Sequence, residues 1–453
     1  MTTIVVASTL YGAMTAAAAL EDEQAPRSRD TVLVVVNNAA APELTPALDE
    51  IDAAAPVLAR FDRVFRLGPL LAPAHPSTWD PSDDDLPVLR RLLQRAWGLD
   101  DTPPRLLLES VGTLPSRTLA RVFHDAAVVV YSDGLMSYGA TRTAVPLEIA
   151  QRIEAVRYLD LVPGLAPLLL SEHGVPSHPI DVATFRSVID EVADRTDPPA
   201  TSGNGRSAVL VGQYLATLGI LSRDEETALH VSMVRAAADR GATRVRFKPH
   251  PSALPSDLGP VRAAAREAGV TMEVIDDASP VEAILRHDPP TLVVGCYSTS
   301  LVATERLLGV EAVTVGTATV LSRLRPYADS NRIPLTIVDG AHADPSYDAD
   351  RLRALVASVV YAMHPERLPW LRSTAEEFLE TADGDTLDRY FAGASLDALG
   401  LPGETPRRLR SALRRSASRV LRSPMTGLLV RLADRSPRQL IEGRLRGRGL
   451  RRF

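Results

Sequence analysis

Lys248-Pro249-His250-Pro251 concentrates more chemistry than any other short stretch of this chain. The prolines restrict their own backbone and that of the residue before each, so the imidazole of His250 is carried on a stiff support. Lys248 is the only lysine in 453 residues, and arginine serves everywhere else. A compact ammonium beside an imidazole suits an anionic group such as a phosphate, whose charge would in turn keep the imidazole protonated. The same tetrapeptide also fits a rigid turn, and its own spacing does not choose between the two.

Three further loops offer groups that such a site would need. Ser132-Asp133-Gly134 follows the apolar run Ala127-Val128-Val129-Val130-Tyr131. A carboxylate there, followed by glycine, can project past a strand end and take a proton from an incoming hydroxyl, or it can be an ordinary Asp-Gly turn. Tyr297-Ser298-Thr299-Ser300 opens a helical pattern. Its hydroxyls and free N–H groups make an anion site at a helix start, unless Ser298 is simply the N-cap. Gly212-Gln213-Tyr214 follows another apolar run, where glycine allows a ligand close to the backbone.

Other constellations fall away. Glu172, His173 and His178 are separated by Pro176 and share no helical face, so no metal site is expected there. A Gly-x-Ser-x-Gly elbow, a Walker loop and a Gly-x-Gly-x-x-Gly fingerprint after a strand are all missing, which removes the usual support for hydrolase, ATPase and dehydrogenase chemistry. The single cysteine, Cys296, excludes an internal disulfide framework and reads as a small buried hydrophobe.

The elements that must position these loops alternate. Apolar runs at 3–7, 31–36, 63–67, 106–109 and 127–131 predict strands, with residues 8–12 as the loop after the first. Helical patterns at 44–60, 86–97 and 116–126 lie between them. After a polar stretch rich in proline and glycine at 195–206, strands are expected at 208–211, 245–247, 272–275, 292–296, 312–315 and 335–338. Helices are expected at 223–240, 258–268, 280–287 and 299–308, with closing helices at 350–363 and 371–391. Runs apolar on both faces, such as Val32-Leu33-Val34-Val35-Val36, fit central strands of a covered parallel sheet. Two successive βαβα series give two doubly wound domains with a cleft between them, and ligands bind outside the carboxyl ends of such strands. The division expected is 1–194, a linker at 195–206, 207–395, and a tail at 396–453.

Composition narrows the setting. Hydrophobic residues make up 45% and charged residues 23%, ordinary for a globular protein. The net charge of −6 hides an asymmetry: from Leu401 onward fifteen arginines face three carboxylates, +12, leaving −18 on the rest. The acidic body should avoid nucleic acid, while the tail should seek an anionic surface. The first twenty residues lack the basic start of a secretory signal, and no run reaches the length of about 20 apolar residues for a membrane span. A cytoplasmic protein is expected.

In combination, Ser132-Asp133-Gly134, His250-Pro251 and Ser298-Thr299-Ser300 resemble the acidic, His-Pro and Ser/Thr motifs of bacterial sialyltransferases, in the same order. Val6-Ala7-Ser8-Thr9-Leu10-Tyr11-Gly12 and Gly134-Leu135-Met136-Ser137-Tyr138-Gly139 look like actinobacterial members of the polysialyltransferase family, and the resemblance covers residues 1 to about 390. It implies an α/β protein of the GT-B fold, with an acceptor-side first domain and a nucleotide-sugar (donor) second domain. It further implies inverting transfer from CMP-sialic acid to a glycan acceptor, with no metal cofactor in the step. On this sequence Asp133 would be the general base and His250 the group that engages and protonates the departing phosphate. Ser298 and Thr299 would bind that phosphate, with Lys248, Pro251, Ser300, Gly212 and Gln213 on the donor side. Ser8, Thr9 and Arg142 would face the acceptor, Arg142 through a carboxylate. Ser132 departs from the acidic motif, so a base at that position would have to be replaced by Glu109 or Glu148, or be lost. A different nucleotide-sugar donor, or a binding module without catalysis, remain as alternatives.

The tail lies outside the resemblance. Leu409, Ala412, Leu413 and Val420 recur at helical spacing among arginines, and 425–432 is a second amphipathic stretch. Basic amphipathic helices lie on anionic membranes, which would place the protein at the inner face of the plasma membrane. Nucleic acid is not an expected partner, because Phe453 is the only aromatic in the tail to stack on bases.

Overall fold

The computed structural model describes residues 1–23, 30–39, 42, 45–196, 205–250, 258–342 and 348–403. The first half builds seven strands: β1 Thr2–Ala7, β2 Asp30–Val35, β3 Arg63–Arg66, β4 Arg105–Leu108, β5 Ala127–Ser132, β6 Ile153–Leu159 and β7 Ser177–Ile180. They form one parallel sheet in the order β3-β2-β1-β4-β5-β6-β7. The second half builds β8 Ser207–Val211, β9 Arg244–Lys248, β10 Thr271–Val274, β11 Leu292–Gly295 and β12 Glu311–Thr314 in the parallel order β10-β9-β8-β11-β12.

Each sheet begins at its centre and reverses direction once, between β1 and β4 and again between β8 and β11. Such a switch point leaves a crevice beyond the strand ends, because the helices on either side leave in opposite directions. Ile4, Val5 and Val6 of β1 and Val32, Leu33 and Val34 of β2 are at most 2% exposed, so both sheet faces are covered. Burying one such side chain fully contributes about 1.5–3 kcal/mol, which makes these strands the rigid base for the loops.

The two sheets face one another. Helix Val182–Ala193 packs on helix Val281–His287, and Arg286 pairs with Asp190 across that contact. On the other side, a β-carbon on Gly139 would lie 3.3 Å from Ile333 Cγ1. Two doubly wound Rossmann-like domains meeting at a cleft are the GT-B fold.

Several expectations need correction. Residues 8–12 are not a loop: Thr9 accepts from the Gly12 N–H at 2.9 Å and caps a helix at Leu10–Glu21. The helix expected at 44–60 is broken into short turns at Leu48–Glu50, Asp52–Ala54 and Ala55–Leu58, where Pro46 and Pro56 cannot donate to a continuous helix. The strand expected at 335–338 lies within helix Arg332–His342. Ile333, Leu335, Ile337 and Val338 are all buried there, so no periodicity separates helix from strand. Finally, β6 and β7 were not anticipated; the burial of β6 is irregular and β7 is four residues long with a proline.

The expected helix at 371–391 is two helices, Arg372–Thr381 and Gly384–Tyr390, divided where Asp383 accepts from the Thr386 N–H at 2.7 Å. The second is anchored by Asp339, whose fully buried carboxylate accepts from Arg389 Nε and Tyr390 Oη at 2.6 Å each, and from Thr317. Cys296 is buried as expected, its thiol pushed up to about 12 by burial. The chain divides into compact units Met1–Phe391 and Ala392–Phe453; in the second, helix Gly393–Leu399 ends at Gly400 with φ +63°. Among the described residues no helix is long and apolar enough to cross a membrane.

Candidate active site

Asp133 stands one residue beyond the end of β5, beside helix Leu10–Glu21: a β-carbon on Gly12 would lie 3.7 Å from its Oδ2. Burial raises its carboxyl to about 7, helped by the charges of Glu109 and of Glu282 from the opposite domain. Glu109, next after β4, is also pushed up by burial, while a hydrogen bond from Ser8 Oγ at 2.7 Å to Oε2 pulls the other way. Tyr131 donates to the Val6 carbonyl at 2.9 Å and keeps its proton, since burial holds the phenol well above its ordinary value.

Ser8, Glu109, Ser132, Asp133 and Arg142 line one cavity of about 280 Å³ at the switch point between β1 and β4. Leu170, on the same wall, has φ +61°, a left-handed backbone that costs a non-glycine residue about 1–3 kcal/mol. Its N–H donates to Thr141 Oγ1 at 2.9 Å, which helps hold that conformation. Arg142 is exposed at the rim. Thr9 is the helix cap and does not line this cavity; Glu148 is exposed and does not line it either.

On the other domain, β9 runs through Lys248, so the prolines begin where the strand stops. Lys248 is 6% exposed and donates to the Asp277 carbonyl, tying the end of β9 to the segment after β10. Burial lowers its pKa, against the pull of Asp277, Glu282 and Asp276. His250 stacks on Tyr214, ring centroids 3.9 Å apart at 21°. Burial first, then Lys248, lowers the imidazole to about 4, so it is neutral at physiological pH until an anion joins it. Pro251 lies outside the described residues.

Gly212 lets two loops pack closely. A β-carbon there would lie 3.0 Å from the Lys248 carbonyl and 3.2 Å from Pro249 Cα, so the glycine admits the neighbouring loop. Its N–H donates to that carbonyl at 2.8 Å. Gln213 is buried and donates its backbone N–H to His230 Nε2 at 3.2 Å, while its side-chain amide turns back to the carbonyls of Val211 and Gly212. Burial lowers His230 to about 4, matching a neutral ring that accepts there.

Ser298 caps helix Thr299–Leu308, accepting from the Ser300 N–H at 3.2 Å. Thr299 faces the other domain, its Oγ1 3.1 Å from where a β-carbon on Gly134 would be. Ser300 hydrogen-bonds Glu282, which is 2% exposed and feels both Lys248 and Asp133. Asp133, Glu282, Lys248, Ser300 and Thr299 therefore come together from the two domains, with His250 two residues beyond the end of the strand that carries Lys248.

Sequence reasoning missed Glu282. Its signal was present: a lone carboxylate in the apolar run Val281-Glu282-Ala283-Ile284-Leu285, all of it buried. The stacking of Tyr214 on His250 had no local signal, since the two meet only because β8 and β9 are adjacent. Among the described residues, no group of three or more His, Cys, Asp or Glu is arranged to hold a metal ion.

Chemically, this arrangement sets a carboxylate of near-neutral proton affinity against a hydroxyl at a helix N-terminus, while an imidazole lies two residues beyond Lys248. A base able to take a proton near pH 7 and groups able to hold an anion are what glycosyl transfer from an activated donor needs. Solved structures of limited similarity include the GT-B domain of a sialyltransferase from Photobacterium damselae (11% identity, TM-score 0.36, 67% of this chain and 88% of that one). Others are MurG of Acinetobacter baumannii (11%, 0.38, 85% and 97%) and MnaA of S. aureus with UDP (12%, 0.37, 89% and 98%). They are too distant to inform any detail of the site. No curated protein sequence matches the chain. A family model for alpha-2,8-polysialyltransferase (POLYST) matches residues 3–317, a span that holds both sheets and every loop of the site. The chain is a glycosyltransferase and belongs to the alpha-2,8-polysialyltransferase family.

Proposed function

We propose that this enzyme transfers sialic acid, or a related acidic sugar, from a CMP-activated donor to a hydroxyl of a glycan acceptor, with inversion. The observation that carries the reading is Asp133, held at about 7 in a cavity of the first domain, on a turn whose next residue, Gly134, abuts Thr299 of the second. Asp133 takes the acceptor proton as that oxygen bonds to the anomeric carbon. The bond from that carbon to the phosphate breaks, and its electron pair leaves on the phosphate oxygen of CMP. His250 becomes charged beside the donor phosphate and gives its proton to it, or holds it, as it departs. The N–H groups and hydroxyls at the start of helix Thr299–Leu308, with Ser298, complete the phosphate site.

Residues 1–194 serve as the acceptor-side domain and 207–395 as the donor domain, with 195–206 as the linker. Arg142 at the cavity rim supplies the charge for an acidic acceptor, such as a chain already ending in a sialyl carboxylate. Ser8 acts through Glu109, and Thr9 by fixing the helix that backs Asp133. No metal cofactor enters this scheme. The arginine-rich tail, which lies outside the described residues, would bring the enzyme to the anionic inner face of the plasma membrane, near a cell-surface or capsule polysaccharide under synthesis.

Incubation with CMP-sialic acid and sialylated acceptors tests the reading: CMP release with acceptor elongation is expected, and neither appearing across a panel of acceptors overturns it. Calorimetry with CMP, UDP and GDP separates this donor from another nucleotide sugar. Ser132, at the position where the motif is acidic, favours one other reading, a module that binds CMP or glycan without turnover.

A further inference from the structure

We propose that Glu109 is a positioning residue for acceptor activation, its fixed carboxylate making Asp133 a stronger base. The inference rests on the reading of Asp133 as the base, and it concerns how that base is set. β5 supplies no second carboxylate, because the residue before Asp133 is the uncharged Ser132. The neighbouring strand supplies it instead. β4 pairs with β5 so that Leu108 stands opposite Val130, which brings Glu109 level with Tyr131 at the sheet edge from which Asp133 projects. Ser8, beyond β1 on the other side of β4, donates to Glu109 Oε2 at 2.7 Å and holds the carboxylate in place. Both carboxylates line the same cavity.

Carboxylates and phenols surround Asp133, and Arg142 lines the same cavity from the rim. Glu109 comes from the end of β4 and Glu282 from helix Val281–His287, with the protonated phenols of Tyr11 on helix Leu10–Glu21 and Tyr131 on β5. Lys248 faces Glu282. A negative charge kept beside Asp133 makes it hold a proton more tightly, and so take one from a hydroxyl more readily once ionised. Burial raises Glu109 as well, so the pair releases its protons in coupled steps.

The test reads the carboxyl groups directly and needs no turnover. In protein labelled with carbon-13 at side-chain carboxyls, with D133N and E109Q assigning the signals, the Asp133 and Glu109 resonances of the wild type should each titrate in two coupled steps. In E109Q, Asp133 should titrate in one step, with proton affinity lower by about tenfold or more. Independent single-step curves in the wild type overturn the proposal whether or not E109Q folds, and so does an unmoved Asp133 in a folded E109Q. Kinetics then form a separate arm: the acid limb of kcat/KM should move to lower pH in E109Q and its plateau should fall. Coupled titration in a wild type that never turns over a CMP sugar would leave the pair intact and remove the reading of Asp133 as catalytic base.

Discussion

The α-carbon of Gly134 and the hydroxyl of Thr299 are so close that a β-carbon on the glycine would sit 3.1 Å from Oγ1. The turn bearing Asp133 and the helix start of the other domain thus touch so closely that a methyl group fits only if Thr299 gives way by a few tenths of an ångström. Gly134→Ala should therefore cost about 1–3 kcal/mol of stability through overpacking. On the proposed mechanism it should also lower kcat/KM more than its stability loss alone would, because Asp133 shifts away from Thr299. Removing the opposing atoms in G134A/T299A should restore most of the melting temperature, and equal destabilisation of G134A with and without T299A would refute the contact.

The carboxyl of Asp133 predicts the acid side of the activity profile. Its base form is lost as pH falls through about 7, so kcat/KM should decline below neutrality. The stability linkage has the opposite sense. A carboxyl at about 7 when folded, against 3.8 in an ordinary setting, binds its proton more tightly in the native state. Its contribution to stability is complete below the unfolded value and disappears as pH rises through about 7. D133N should accordingly be inactive yet more stable than the wild type at pH 8, by roughly 2 kcal/mol in denaturant melts, and no more stable near pH 4.

His250 should titrate near 4 in the protein alone, and CMP should move its midpoint up toward the ordinary value of about 6.5 or beyond. Proton NMR of the ring hydrogens measures both. Because His230 is held at about 4 as well, the two histidines favour folding fully above the unfolded value, and that stability is lost as pH falls toward 4. Replacing His250 by alanine should reduce kcat by roughly 10²–10⁴-fold, while Tyr214→Leu should disturb the His250 titration and leave His230 alone.

Asp339 gives a stability prediction far from the chemistry. Its carboxylate is wholly buried between Arg389, Tyr390 and Thr317, so Arg389→Ala strands a charge. A loss of about 3–5 kcal/mol is expected in chemical denaturation, whereas Arg389→Lys should recover part of it.

Much of this was legible in the sequence because a central parallel strand is apolar on both faces and leaves little else for a run such as Val32 to Val36 to be. The loops that follow such strands inherit their position, which is why Asp133 and the Ser298 to Ser300 segment could be named in advance. The strand ending in Lys248 was legible for the same reason. Glu109 could be named only as a substitute base, because its partner Ser8 is 101 residues away. Pairings of that kind depend on strand order, and strand order is not written locally. The helix containing Leu335 was misread for a related reason: a segment buried on all sides carries no periodic signal.

Helix Arg332–His342 sets a limit on how the chain can be trimmed. Ile333 near one end backs Gly139, in the turn that follows Asp133, while Asp339 further along grips Arg389 and Tyr390. A truncation that keeps Phe391, which packs on Phe378 at the end of the first compact unit, should leave this anchor in place. One that ends before Arg389 should release this helix and loosen the turn after Asp133 with it. For anyone expressing a shorter version, the permissible cut is therefore decided by a carboxylate some fifty residues upstream of it.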